Sequence, residues 1–303
     1  MQRSFCVADP LPPLRPQEPT RPRHVMAILN TTPDSFSDGG ENEHTDIEAL
    51  RDTIAAQLTA GATIIDIGGQ SSRPNAEDVT ATEEIARILP AIEAAKSLCE
   101  GKQVAISVDT YRAEVAEAAV RAGAHIINDI SAGLLDRAML PTIARLGCTY
   151  VMMHMRGTPA TMQNSVNTTY SKGVVRGVLE ELAERVAAAR EAGIHPWRII
   201  LDPGFGFAKT LEQNLVLLKD FWFLPNDNVL SRYPWLIGTS RKGFIGKVTG
   251  VEAPKDRMLG TAVTVAATAL AGADLFRVHD VREMTEAIAM SVAIKHSDQR
   301  PDA

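Results

Sequence analysis

Two aspartates stand directly behind apolar runs: Asp109 after VAISV and Asp202 after RIIL. A carboxylate leaving a buried strand either caps the next helix or faces a ligand. Asn128 after HII repeats the position with a neutral amide, and Lys242 in GTSRKGF adds an ammonium. Together these groups suit a planar heterocycle with N–H donors beside a carbonyl. Carboxylate and amide accept and donate along the donor edge, and the ammonium meets the carbonyl. Pterins and purines both carry such an edge. A second set is cationic: Arg73 in GGQSSRPNA, Arg241 beside Lys242, and Arg277 with His279 in FRVHDV. Basic residues usually lie on a solvated surface. In a chain of net charge −6, three separate loops of them point to a local phosphate or carboxylate site. The same charge argues against a general grip on nucleic acid or an anionic membrane.

Such residues need a frame that brings them to one face. Along the chain a short β-branched run, a Gly or polar loop and a helical segment rich in Ala, Glu and Arg recur. The runs are VMAILN, TIIDIGG, VAISVDT, HIINDI, TYVMMHM, RIILDP, WLIGTS and DLFRVHD. Helical spacing falls at 45–60, 81–98, 111–122, 135–146, 171–192, 211–220, 255–271 and 281–295, with Gly61, Gly123, Gly193 and Gly272 as C-caps. The pattern predicts an α/β fold, a single-domain (β/α)8 TIM barrel over residues 24–295. Polar residues end nearly every strand: Asn30, Ser71 and Ser72, Asp109, Asn128, His154, Asp202, Ser240 and Arg277. In a barrel these ends converge on the face that builds active sites. An open doubly wound sheet would gather its ligand loops at one switch point instead.

The flanks read differently. Residues 1–23 hold Pro10, Pro12, Pro13, Pro16, Pro19 and Pro22 and form a Pro-rich arm or linker, and 296–303 a flexible tail. Cys6, Cys99 and Cys148 make no CxxC pair, which disfavours a disulfide framework or structural zinc. No run is long enough to span a bilayer and no apolar signal core opens the chain, so a cytoplasmic location is expected. A mitochondrial one is the alternative for a eukaryotic chain, although Asp9, Glu18 and the prolines spoil the basic amphipathic helix of a presequence. GFIGKVTG is not a P-loop, because Arg241 and Val248 occupy positions that need Gly and Ser or Thr. His154 has no partner at metal-ligand spacing and reads as a satisfied strand-end histidine.

With these residues in place, the chain resembles the dihydropteroate synthases, a pterin-binding family of the folate pathway. The likeness covers roughly residues 25 to 295 and rests on ILNTTPDSFSDGG, IDIGGQSSRPNA, ISVDT, IINDI, LDPGFGF, GTSRKGFIG and RVHDV, in that order. The resemblance implies a barrel that joins 6-hydroxymethyl-7,8-dihydropterin diphosphate to 4-aminobenzoate with Mg2+ assistance, a sulfonamide target. It implies pterin contacts from Asp109, Asn128, Asp202 and Lys242, a further substrate contact from Ser72, and diphosphate contacts from Arg277 and His279. It also implies Asn30 as the Mg2+ ligand, and Phe36, Arg73, Pro74, Phe207 and Lys242 around the aminobenzoate. Asp109, Lys242 and Arg277 are the catalytic expectations. TTPDSFSDGG would be a lid over bound diphosphate. A homodimer is implied, and the Pro-rich lead suggests one domain of a fused folate-synthesis polypeptide.

Gln70, Ser72, Asn75 and Gly243 depart from the commonest family pattern, of which Ser72 keeps its hydroxyl. One alternative is a pterin-binding methyltransferase domain, against which SRKGF, RVHDV and the long first loop argue. Another is a non-catalytic pterin-binding paralogue, against which the retention of every motif residue named argues.

Overall fold

The computed structural model describes residues 21–31, 47–70 and 79–297. The arm up to residue 20, the lid segment with Phe36, the segment with Ser72, Arg73 and Pro74, and the tail from residue 298 lie outside the described residues. Eight parallel strands are present: β1 His24–Asn30, β2 Ile64–Gly68, β3 Ala105–Asp109, β4 Ile126–Asp129, β5 Thr149–Met153, β6 Ile199–Asp202, β7 Leu236–Ile237 and β8 Leu275–Val278. Their order is β6-β5-β4-β3-β2-β1-β8-β7. The Leu201–Trp235 bridge, with the Leu201 N–H donating to the Pro234 carbonyl at 2.9 Å, joins the two ends into a barrel. The run of apolar segments therefore gives the (β/α)8 TIM barrel that its alternation predicts.

Helices cover the outside: α1 Ile47–Thr59, α2 Ala81–Cys99, α3 Ala113–Ala122, α4 Met139–Leu146, α5 Ser165–Thr168, α6 Val174–Glu191, α7 Leu211–Lys219, α8 Gly243–Thr249, α9 Met258–Ala271 and α10 Val281–Lys295. Their starts follow local chemistry. Thr80 caps α2 by accepting from the Glu83 N–H at 3.2 Å, and Thr210 with Gln213 forms a capping box on α7. Three elements differ from the sequence pattern. WLIGTS yields only two strand residues, because the backbone turns away at Gly238 toward the loop that carries Lys242. The short α5 and α8 sit inside loops whose apolar periodicity is too brief to announce a helix.

Period-two alternation explains the barrel interior. Met26, Ile64, Ala105, Ile126, Val151, Ile200, Leu236 and Leu275, one from each strand, form a closed apolar plug. Outward-facing strand residues such as Ile65, Ile106, Ile127 and Leu201 pack under the helices in a separate, larger core. Below the plug, the chain enters the barrel with Arg21 ion-paired to buried Asp274 and donating to the Gly272 carbonyl at 3.1 Å.

Candidate active site

Two residues beyond the plug, on the same inward faces, stand Asp66, Ser107, Asn128, Met153, Asp202, Gly238 and Arg277. One step of alternation thus turns an apolar layer into a polar one. The barrel floor insulates this layer from water on one side, and the strand ends open it on the other.

Arg277 organises the layer. Its Nε donates to Asp66 Oδ2 at 2.6 Å and its Nη2 to Asp109 Oδ2 at 2.7 Å. The Asn128 amide donates to the same Asp66 oxygen at 3.3 Å. Asp66 is fully buried, and among the described residues its other oxygen has no partner; nor does the buried hydroxyl of Ser107, its register partner on β3. Asp109 and Asp202 are not helix caps. The cap position of α3 is Arg112 and that of α7 is Thr210, while Asp202 Oδ1 accepts from the Gly204 N–H at 2.7 Å.

The loop after β6 brings in the other cation. Gly204 holds φ of +69°, and a Cβ there would lie 2.0 Å from the His154 carbonyl, so only glycine fits. The turn sends Phe205 into the core and leaves Phe207 half-buried on the site side. Lys242 hydrogen-bonds the Phe205 carbonyl and rests its Nζ 4.6 Å from the centre of the Phe207 ring. Burial pulls Lys242 down to about 8, against the attraction of Asp202. Burial pushes Asp109 up to about 7, against the pull of Arg277. Asp202 is raised by burial as well, with Lys242 opposing. Burial disfavours the Arg277 charge, yet Asp66 and Asp109 outweigh it and hold the guanidinium protonated. Asp109 and Lys242 thus sit poised near neutrality in a water-poor recess, as sites of acid-base or charge-recognition chemistry do.

The family described as Pterin binding enzyme matches residues 26–279. A dihydropteroate synthase of Synechocystis is 44% identical over 271 residues, covering 89% of this chain and 90% of that protein. The chain belongs to the pterin-binding enzymes, among the dihydropteroate synthases. A structure of the dihydropteroate synthase of Xanthomonas albilineans with 4-aminobenzoic acid superposes with a TM-score of 0.80 at 39% identity, covering 91% of this chain and 94% of that one. The folic acid synthesis protein fol1 of Pneumocystis carinii is 46% identical over 273 residues, 90% of this chain and 36% of that protein. The chain spans between 36% and 56% of the eukaryotic folate-synthesis proteins it matches.

Within this synthase fold, Asp109, Asn128, Asp202, Lys242 and Arg277 share one recess, and Phe207 forms its wall. Asn30 stands exposed at the end of β1, its Oδ1 toward Gly68. His279 lies on the rim, its Nδ1 2.9 Å from the Ser240 hydroxyl, which accepts from the His279 N–H at 3.2 Å. Arg241 does not join the cationic set that its sequence position suggests. With φ of +60° it turns outward to pair with Asp280, and its Nε–Oδ2 distance is 3.1 Å. His154 is buried and held by Glu181 at 3.1 Å.

The sequence motifs passed over Asp66 and the apolar rim. Asp66 interrupts an otherwise apolar run in TIIDIGG, and a carboxylate at mid-strand was the available signal. Ile130, Met153 and Met155 form a small cluster against Tyr111, Leu135 and Phe207. Nothing in their residue type separates them from core.

Proposed function

We infer that this chain condenses 6-hydroxymethyl-7,8-dihydropterin diphosphate with 4-aminobenzoate, giving 7,8-dihydropteroate and diphosphate in folate biosynthesis. The observation that carries this reading is the buried polar layer of Asp109, Asn128, Asp202, Lys242 and Arg277 beside an apolar rim. Asp202 and Asn128 offer an acceptor and an amide to the pterin donor edge, and Lys242 meets its carbonyl. Ile130 and Met153 supply an apolar face for the ring.

The reaction breaks the bond between the pterin methylene and the diphosphate oxygen. The electron pair leaves with diphosphate, and the cation left at the methylene is delocalised into the ring. Asp109, close to the layer's cations, offsets that positive charge. Arg277 and His279 neutralise the departing diphosphate. The arylamine nitrogen then bonds to the methylene and releases a proton. It is uncharged near neutral pH and needs no strong base. Phe207 with Lys242 borders the arylamine half, to which Phe36, Arg73 and Pro74 belong by family position, with Ser72 at a further substrate contact.

Asn30 offers a neutral hard oxygen, and no group of three or more His, Cys, Asp or Glu able to hold a metal occurs among the described residues. That donor set fits Mg2+, which takes few protein ligands and completes its shell with phosphate oxygens and water. When bound, the ion would neutralise diphosphate charge.

Helix α9 carries no charged side chain and exposes Leu259 by 77% and Val263 by 69%. A homodimer through this face accounts for the exposure. Sedimentation should give twice the chain mass, and a monomer at micromolar concentration counts against it. Relatives named as bifunctional folate-synthesis proteins support fusion to other folate enzymes, one of them mitochondrial in Pisum sativum. No helix among the described residues is long and apolar enough to cross a membrane. We propose a cytoplasmic site of action, with a mitochondrial one as the alternative.

The test is diphosphate release from the pterin diphosphate, 4-aminobenzoate and Mg2+. Asp202→Asn should lower kcat/KM by about two orders of magnitude or more, because it removes the anionic acceptor of a buried charged hydrogen bond. Near-wild-type turnover would refute the residue assignment. An inactive wild type that still binds pterin would favour a non-catalytic binder.

A further inference from the structure

Lys209 is an amine that the mechanism does not use, yet it is only 3% exposed. Its Nζ donates to the Gly204 carbonyl at 2.9 Å and the Phe207 carbonyl at 3.0 Å, and lies 3.1 Å from His154 Nδ1. Glu181, kept ionised against burial by its hydrogen bonds from His154 and Arg156, can only accept, so the imidazole proton sits on Nε2 and Nδ1 accepts from Lys209, whose pKa burial pulls down to about 7. That Nε2 donates to Glu181 Oε2, which Arg156 also grips, its Nε 3.0 Å from the same oxygen. Burial and then the Lys209 charge push His154 down to about 4, so the ring stays neutral and can accept.

The chain of bonds runs from α6 through β5 into the loop after β6. That loop has three residues at positive φ, Gly204, Gly206 and Ala208. Such a path is unfavourable for alanine and persists only where surrounding contacts hold it. The loop has further ties: Gly204 N–H donates to Asp202 Oδ1 at 2.7 Å and Phe207 N–H to the Gly204 carbonyl at 3.1 Å. Gly206 N–H donates to Asn214 Oδ1 at 2.7 Å, Gln163 to the Gly206 carbonyl at 3.0 Å, and Tyr170 to the Ala208 carbonyl at 3.0 Å. Lys209 bonds the carbonyls at both ends of the turn that presents Phe207. The far side of that turn touches Lys242.

We propose that Lys209 is a positioning residue for the arylamine half of the site: it ties the Gly204 and Phe207 carbonyls to His154 and so sets the Phe207 ring beside Lys242. The proposal rests on the synthase reading above. Its consequence is graded, since the pterin contacts Asp109, Asn128 and Arg277 belong to strands that the loop does not carry, and of the pterin contacts only Asp202 and Lys242 adjoin it. Loss of the tie should therefore harm the arylamine more than the pterin.

The experiment compares wild type, Lys209→Met and Glu181→Gln in steady-state turnover with each substrate varied in turn. Lys209→Met keeps the length and removes the donors. It should raise KM for 4-aminobenzoate at least about tenfold, with KM for the pterin diphosphate within about twofold. Glu181→Gln keeps the shape but removes the charge that orients His154, and should move the same constant the same way by about threefold. A merely structural role would lower the active fraction, so kcat would fall with both KM values unchanged. That result, or no change at all, overturns the proposal. If Lys209→Met does not fold, the Glu181→Gln split decides. A crystal structure of either variant gives a reading independent of turnover. Displacement of residues 203–208 is expected, and an unmoved loop refutes the assignment even if the wild type proves inactive and the synthase reading falls.

Discussion

Asn128 and Asp129 are neighbours on β4 and face opposite sides of the barrel wall. Asp129 points outward into a nest of its own chain: the Tyr150 hydroxyl at 2.6 Å, the Ser131 N–H at 2.7 Å and hydroxyl at 2.8 Å, and the Gly133 N–H at 2.7 Å. Every lone pair it can use locally is engaged. Burial raises its pKa, and these donors oppose the shift. Asn128 points inward to a layer that holds three carboxylates, Asp66, Asp109 and Asp202, against Arg277 and Lys242, and that leaves an oxygen of Asp66 without a partner among the described residues. Both regions are buried and acidic. The outer one is complete and serves stability, whereas the inner one keeps hydrogen-bonding capacity for something that arrives later.

The sharpest way to break this contrast is Asp129→Ala. It strips the acceptor from four donors and should cost about 3–5 kcal/mol in urea unfolding while leaving both KM values of the folded enzyme unchanged. A cost below about 1 kcal/mol would erase the distinction. Asp66→Asn tests the other region. Little stability should be lost, because the amide oxygen still accepts from Arg277, but pterin binding should weaken about tenfold as Arg277 loses one of its two anionic partners.

The smallest expected effect is on pH dependence. Asp109 is charged above about 7 and Lys242 below about 8, so pterin affinity should peak between these values and fall on both sides. Asp66 is one of the charges that raise Asp109. Removing that charge leaves the Arg277 charge to Asp109 as its only direct ion-pair partner, so in Asp66→Asn the acid limb should move to lower pH. Calorimetric titration of pterin across pH checks both statements, and an unmoved acid limb would deny the coupling between the two carboxylates.

Much of the site was legible because ligand groups at strand ends must be polar where the pattern is otherwise apolar. Asp109, Asn128, Asp202, Lys242 and Arg277 all stand out in that way. Arg241 stood out equally and turned outward, because a neighbouring carboxylate, Asp280, lies within its reach. Asp66 sits two residues before the strand end, inside an apolar run, where a carboxylate is stable only if an arginine from another strand meets it. That arginine lies 211 residues away. Lys209 offered no signal at all, since its role depends on two carbonyls, which any residue possesses.

The sequence by itself determined the alternation of strands and helices, the closed barrel that eight such units form, and the family to which the ordered motifs belong. These depend on local propensity and residue spacing, which a linear chain carries in full. The tertiary structure alone decided which charges pair and which remain available: Arg277 bound by two carboxylates, Arg241 turned away, Asp129 saturated and Lys209 enclosed beneath the loop. Pairing depends on distances between strands remote in sequence and on the loss of water around them, and both exist only once the barrel has closed.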